Sequence, residues 1–257
     1  NIMKRAEVLG EISRRCDSVA VAGSHGKTTV TAMITHLLNF AGKKMSAFVG
    51  GIAKNINSNV VIGDENDEIV VMEADEFDRS FLQLTPYISI VTSIDADHLD
   101  IYGDKEQLVQ GFEQFVNKTK SDGVVICNQI LQLVTTRKKL TYGIDNADVM
   151  ARNIRIENEL TKFSVVTKEG LEIGDYEMQL FGIHNVMNAL AAIMACLQLR
   201  VDMKVIKEGL AAFQGVQRRF DIRFRNESVC YIDDYAHHPE EIKATLKAAR
   251  EIYPERE

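Results

Sequence analysis

The chain of 257 residues predicts an α/β fold: a mostly parallel sheet flanked by helices, with a small antiparallel β ribbon after about residue 150. Three observations carry that prediction. Short apolar runs without polar alternation, such as Ile69-Val70-Val71-Met72 and Tyr87–Ile94, read as strands buried on both faces. They interleave with helical stretches such as Lys27–Phe40 and Lys105–Lys120, the order that builds a parallel sheet. One junction, Ser18–Ala41, runs from an apolar strand through Gly23-Ser24-His25-Gly26-Lys27-Thr28-Thr29 into an amphipathic helix. A strand, a glycine turn and a helix opening on Lys-Thr form a phosphate cradle, because backbone N–H groups around the turn point at the anion. The expected fold is therefore P-loop NTPase-like.

The elements follow in order. Asn1–Arg15 has apolar residues near helical spacing and reads as a helix entering a strand at Ser18–Ala22. Helix Lys27–Phe40 ends at Gly42. Strands are expected at Met45–Val49, closed by Gly50-Gly51, at Val60–Ile62, at Ile69–Met72 running into Glu73, at Tyr87–Ile94 running into Asp95, and at Gly123–Cys127. From Ile154 to Leu180 apolar and polar residues alternate, as in an antiparallel ribbon with one solvated face. Helices at Asn185–Leu199 and Met203–Phe213 follow, then a polar, aperiodic stretch at Asp221–Ser228 that reads as a linker. A strand at Val229–Ile232 and a helix opening on Pro239 close the chain.

Bulk properties narrow the function. A net charge of −7 and the absence of a Lys/Arg run argue against nucleic acid and anionic membrane surfaces as partners. Nothing approaches 18 consecutive apolar residues, and the N-terminus has no signal-peptide pattern. Cys16, Cys127, Cys196 and Cys230 are widely spaced, which suits reduced thiols and a cytoplasmic location. The chain starts on Asn1 and stops at Glu257 within a helical pattern, so both ends are expected to be cuts in a longer polypeptide.

In the phosphate loop, Lys27 is expected at the β/γ-phosphates and the Thr28 hydroxyl at Mg²⁺. The longer pattern G-x-x-x-x-G-K-[ST] asks for glycine where Val21 stands. Ligands of doubly wound sheets bind beyond the carboxyl ends of the strands. Three runs end there in functional groups: the loop itself, Glu73-Ala74-Asp75-Glu76, and Asp95-Ala96-Asp97-His98. Glu73 offers hard oxygen to Mg²⁺, and His98 suits a second metal bridging the substrate.

These blocks, together with Gly182-Ile183-His184-Asn185 and Asn188, Arg218-Arg219-Phe220-Asp221 and Asp233-Asp234-Tyr235-Ala236-His237-His238-Pro239, resemble the Mur ligases of peptidoglycan synthesis. They fall in that family's order from about Ser18 to the C-terminus. The family's loop is G-x-x-G-K-[ST], which accounts for Val21. The departures are Ser24 for a usual Thr, Gln217 before the arginine pair, and Ala236 for Gly. None of them touches an expected ligand.

The resemblance implies an ATP- and Mg²⁺-dependent amide-forming ligase, closest to the branch joining L-alanine to UDP-N-acetylmuramate through an acyl phosphate. The branch that attaches a recycled tripeptide is the alternative, and a plain P-loop kinase or NTPase a more distant one. It further implies that residues 1–225 are the central ATP-binding domain and 226–257 the start of a C-terminal amino-acid-side domain, with an N-terminal UDP-binding domain absent. Such a piece is expected to bind nucleotide without ligating. Implied site residues are Gly23, Ser24, His25, Gly26, Lys27, Thr28, Thr29, Asn185, Asn188, Arg219 and Asp234 for the nucleotide, with the two asparagines at the adenine. Thr28, Glu73 and His98 would hold metal, and Lys27, Glu73, His98 and Arg219 would carry the chemistry. Tyr235 and His237 stand beside Asp234, and Asp75, Glu76 and Asp97 are expected as supporting groups or caps.

Overall fold

The computed structural model describes residues 2–64, 68–95 and 102–254. A ten-stranded sheet runs through it in the order β10-β9-β8-β7-β6-β5-β1-β4-β2-β3. The strands are β1 (Asp17–Ala22), β2 (Met45–Ala53), β3 (Ser58–Val61), β4 (Ile69–Glu73), β5 (Ile88–Val91), β6 (Val124–Asn128), β7 (Lys138–Gly143), β8 (Val149–Glu157), β9 (Leu160–Thr167) and β10 (Glu172–Met178). From β2 across to β8 every pairing is parallel. Antiparallel strands finish both edges, β3 on one and β9–β10 on the other. The ribbon expected after residue 150 is therefore continuous with the main sheet.

Alternation along the central strands divides the core in two. Val19, Val21, Ile69, Val71, Ile88, Ile90, Val124 and Ile126 face one layer, built on α2 (Lys27–Phe40) and the helix Ile183–Gln198. Ala20, Ala22, Val70, Met72, Val91, Val125 and Cys127 face the other, where α1 (Arg5–Arg15), α3 (Lys105–Asn117) and a short 3-10 turn (Phe77–Gln83) pack. Strands buried on both faces have no polar side to show, hence the uninterrupted apolar runs. The helix Ile183–Gln198, here α4, is buried nearly all round, and α5 (Met203–Ala211) packs beside it.

Two expectations need correction, and one strand had no expectation at all. Gly50-Gly51 does not close β2, which runs on to Ala53. Its extension is held by Gln217 N–H donating to Ile52 O and Lys54 N–H to Gly215 O. The stretch 221–228 is no linker: β11 (Asp221–Arg225) pairs antiparallel with β12 (Cys230–Asp233) in a separate two-stranded sheet. Its polar composition reflects an exposed hairpin. β7 lacks a continuous apolar run and escapes the sequence reading; a half-buried position beside β6 tolerates its lysines. The final helix, α6 (Pro239–Ile252), opens on proline as expected.

The hairpin is pinned to the main sheet by Asp221, whose buried carboxylate meets Lys54 Nζ at 2.5 Å and Arg223 Nε at 3.0 Å. Burial opposes its ionisation, but the hydrogen bonds from Lys54 and Arg218 N–H, with the nearby cations, bring its pKa below the ordinary 3.8. A carboxyl depressed on folding stabilises above its unfolded pKa and loses that contribution as pH falls further. Asp221→Asn is therefore expected to unfold more easily at neutral pH, by about 1–3 kcal/mol. Denaturant curves that coincide with the parent's at pH 7 would sink this expectation; convergence is expected only in strong acid.

Candidate nucleotide and metal site

The carboxyl ends of β5, β1 and β4 lie side by side, and the expected groups gather there. Two residues after β5 strap the phosphate loop: Ser93 O accepts from Ser24 N–H at 3.0 Å, and Ser93 Oγ from His25 N–H at 2.9 Å. The Thr92 hydroxyl donates to Ala22 O at 3.2 Å and also to His25 O. Neither Thr92 nor Ser93 stood out in the sequence, since a hydroxyl after an apolar run carries no motif.

Gly26 opens α2 in the left-handed region, φ +84°. A Cβ there would stand 2.6 Å from Asn188 Oδ1 on α4. Conformation and close approach therefore both require glycine. Gly26→Ala is expected to cost about 1–2 kcal/mol and to push Asn188 out of the site. Calorimetric unfolding checks the first effect and nucleotide titration the second; parental values in both would refute it.

Lys27 reaches back across the loop. Its ammonium donates to Gly23 O at 2.6 Å and to both carboxylate oxygens of Glu76, at 2.8 and 2.9 Å. Glu76 is only 1% exposed while the Lys27 side chain is 19% exposed, so the carboxylate is buried and depends on a half-buried lysine. The sequence suggested Glu76 as a support; the structure makes it the lysine's counter-ion. The Tyr102 hydroxyl donates to the Glu76 carbonyl at 2.8 Å, and burial, reinforced by the Glu76 charge, pushes that phenol up to about 12.

Glu73, at the end of β4, turns toward Thr28. Burial raises its pKa, opposed by the Thr28 hydroxyl, the Lys27 charge and Gly50 N–H. Its Oε1 is buried and has no hydrogen-bond partner among the described residues. A Cβ at Gly50 would come within 2.0 Å of Glu73 Oε2, so the glycine interrupts apolar β2 to make room for this carboxylate. A buried carboxylate oxygen without a partner, beside a threonine hydroxyl, is a donor set that fits a hard divalent cation. Among the described residues no three His, Cys, Asp or Glu side chains converge on a metal position. The Thr28 hydroxyl and the Glu73 carboxylate are the part of such a donor set that the described residues supply. His98 and Asp97 lie outside the described residues.

A cavity of about 280 Å³ opens beside the loop, lined by Gly26, Thr28 and Thr29 on one side and His184, Asn185 and Asn188 on another. Asn185 Nδ2 donates to Phe181 O, just before α4, at 2.8 Å, and Asn188 Nδ2 to Asn185 Oδ1 at 3.2 Å within the helix's first turns. His184, a wall residue quoted within the Gly182–Asn185 block but given no role there, has its pKa lowered by burial, partly offset by Asp234 and Glu251. The extension of β2 carries residues 215–217 and so delivers Arg219 to the cavity's far wall, stacked on Tyr235 at 5.6 Å. Asp234 also lines the cavity, but its oxygens accept from Phe220 N–H at 2.6 Å and Ala236 N–H at 2.7 Å. It holds the wall in shape.

Comparison with known proteins identifies one family over most of the chain. The Mur ligase middle domain profile matches residues 21–196, and the Mur ligase glutamate ligase domain profile residues 218–257. The UDP-N-acetylmuramate–L-alanine ligase of Christiangramia forsetii is 43% identical over 98% of this chain and 55% of that protein. The chain thus spans about half the length of the curated relatives it matches. The crystal structure of UDP-N-acetylmuramate–alanine ligase from Thermotoga maritima superposes with a TM-score of 0.85 at 31% identity, over 97% of this chain and 58% of that one. The UDP-N-acetylmuramate:L-alanyl-γ-D-glutamyl-meso-diaminopimelate ligase from Neisseria meningitides reaches 0.74 at 27% identity, over 83% of this chain and 71% of that one.

Proposed function

Because the chain belongs to the Mur ligase family, we propose that it is the ATP-binding part of a ligase that joins L-alanine to UDP-N-acetylmuramate, a step of peptidoglycan precursor synthesis in the cytoplasm. Residues 1–225 are read as the central ATP-binding domain and 226–257 as the beginning of the amino-acid-side domain. The observation that supports the reading is that Glu73, beside the Lys27 charge, meets the Thr28 hydroxyl, and Thr28 lines a cavity walled also by Asn185, Asn188 and Arg219.

The whole reaction would pass the γ-phosphoryl group of ATP to the muramoyl carboxylate, and the alanine amine would displace phosphate from the acyl phosphate. Negative charge builds at every stage, so cations placed beforehand are the main catalytic device. Lys27 would meet the β/γ-phosphates, with N–H groups of the loop from Gly23 to Thr29 around them. Arg219 would face them from the opposite wall. Mg²⁺, held by Thr28 and Glu73, would neutralise phosphate charge. Asn185 and Asn188 would edge the adenine.

The alanine-adding reading is preferred to tripeptide attachment because the 43% identical relative carries that name and the alanine-ligase structure superposes more closely. Calorimetry should find ATP binding to this chain that strengthens with Mg²⁺. The full-length protein, given UDP-N-acetylmuramate, ATP and Mg²⁺, should release phosphate with L-alanine. Release only with the tripeptide would overturn the choice of substrate; no ATP binding would overturn the reading as a whole.

A further inference from the structure

Glu241 lies on the first turn of α6, far along the chain from the phosphate loop, yet its carboxylate meets the loop directly. Oε1 is 2.9 Å from His25 Nδ1 and 3.8 Å from Arg219 Nη1. Oε2 accepts from His237 N–H at 3.3 Å, and the His25 ring lies 5.3 Å from that of His238. We propose that Glu241 is a positioning residue that holds His25 and Arg219 in register, so that the C-terminal segment completes the triphosphate end of the nucleotide site. The proposal rests on the nucleotide reading above and adds to it a residue outside the expected set.

Three features support it. The backbone of His25 is already bound on both sides, its N–H to Ser93 and its carbonyl to Thr92, so its ring is left to reach α6. The ring also stands 3.2 Å from Asp95 through Nε2, between two carboxylates. Arg219 is held without being saturated: its 3.8 Å contact with Glu241 is too long for a hydrogen bond, which leaves that N–H to meet a phosphate.

The third feature is how α6 is fastened. Its apolar anchor is small, Ala248 against Phe181 and Phe220 with Ile232, Ala249 and Ile252 around them. Glu241 is the ionic anchor two turns earlier, and Ala244 and Thr245 between the two anchors line the cavity. The helix N-terminus also favours a carboxylate there. Burial works against ionisation of Glu241, but hydrogen bonds from His25 and His237 N–H and the charges of His25 and Arg219 hold its pKa down to about 2.

A nucleotide series tests the idea. For Glu241→Gln, calorimetric Kd values for adenosine, ADP and ATP should show a loss that grows with phosphate number. Adenosine should be unchanged within about twofold and ATP about 10-fold weaker, the equivalent of 1.4 kcal/mol. The same graded loss is expected for His25→Gln, which breaks the contact from its other end and stands in if the first variant does not fold. The double variant should lose little more than either single one. An equal loss for adenosine and ATP would make Glu241 mere support for α6, and tighter ATP binding would mean that its charge repels phosphate; either overturns the proposal. The parent chain is measured first: without ATP binding there the nucleotide reading itself falls, whereas parental binding with a flat series removes this proposal alone.

Discussion

Replacing Lys27 with Met is expected to cost both ATP binding and stability, by separable routes. On the proposed nucleotide reading the ammonium would offer charged hydrogen bonds to phosphate, and losing them should weaken ATP by roughly 10- to 100-fold, about 1.5–3 kcal/mol. The substitution also strands Glu76, whose two oxygens both lie on the lysine in a site 1% exposed. Breaking a buried pair from one side costs about 3–5 kcal/mol, much more than the pair contributes over an apolar replacement. Lys27→Met with Glu76→Gln should therefore recover much of the stability while ATP stays weak. Urea unfolding and nucleotide titration on the same preparations separate the two effects. A double variant as unstable as the single one would show that the stranded carboxylate is not the cause.

Glu73→Gln should behave in the opposite way. Burial is the largest influence on Glu73 and raises its pKa above the ordinary 4.5. A carboxyl raised on folding favours the folded state at low pH and weakens it as pH rises from the unfolded value through the folded one. The amide removes that decline, so the variant's thermal midpoint at pH 7 should equal or exceed the parent's, with the two converging below 4.5. Mg²⁺-dependent strengthening of ATP binding should fall roughly 10- to 100-fold, the worth of about 1.5–3 kcal/mol for a charged contact. Adenosine binding should be untouched. A lower midpoint at pH 7, or intact Mg²⁺ dependence, would count against Glu73 as a metal ligand. Stability given up at a buried, incompletely bonded carboxylate is what a prepared cation site requires.

How much was legible in the sequence depends on whether the cause is local. The phosphate loop was, because Gly26 and Lys27 are required by a turn and a helix start within a few residues. The central strands were, because burial on two faces removes polar residues from a continuous run. β7 was not, since its lysines are tolerated only beside a neighbour the sequence does not reveal. The glycine pair in β2 was misread as a strand end: Gly50 answers to Glu73 on another strand. The hairpin at Asp221 was misread as a linker because its fastening, Lys54, lies more than 160 residues earlier.

The sequence by itself determined the fold class, the phosphate loop and the family, since motifs and apolar periodicity are properties of short stretches in order along the chain. The tertiary structure alone decided which carboxylate answers which cation. Glu76, not Asp75, took Lys27; Asp221 took Lys54; Glu241, 216 residues from His25, took the loop. Charge pairing acts through space over a few ångströms, and a linear sequence holds no record of those distances until the sheet has brought its strand ends together.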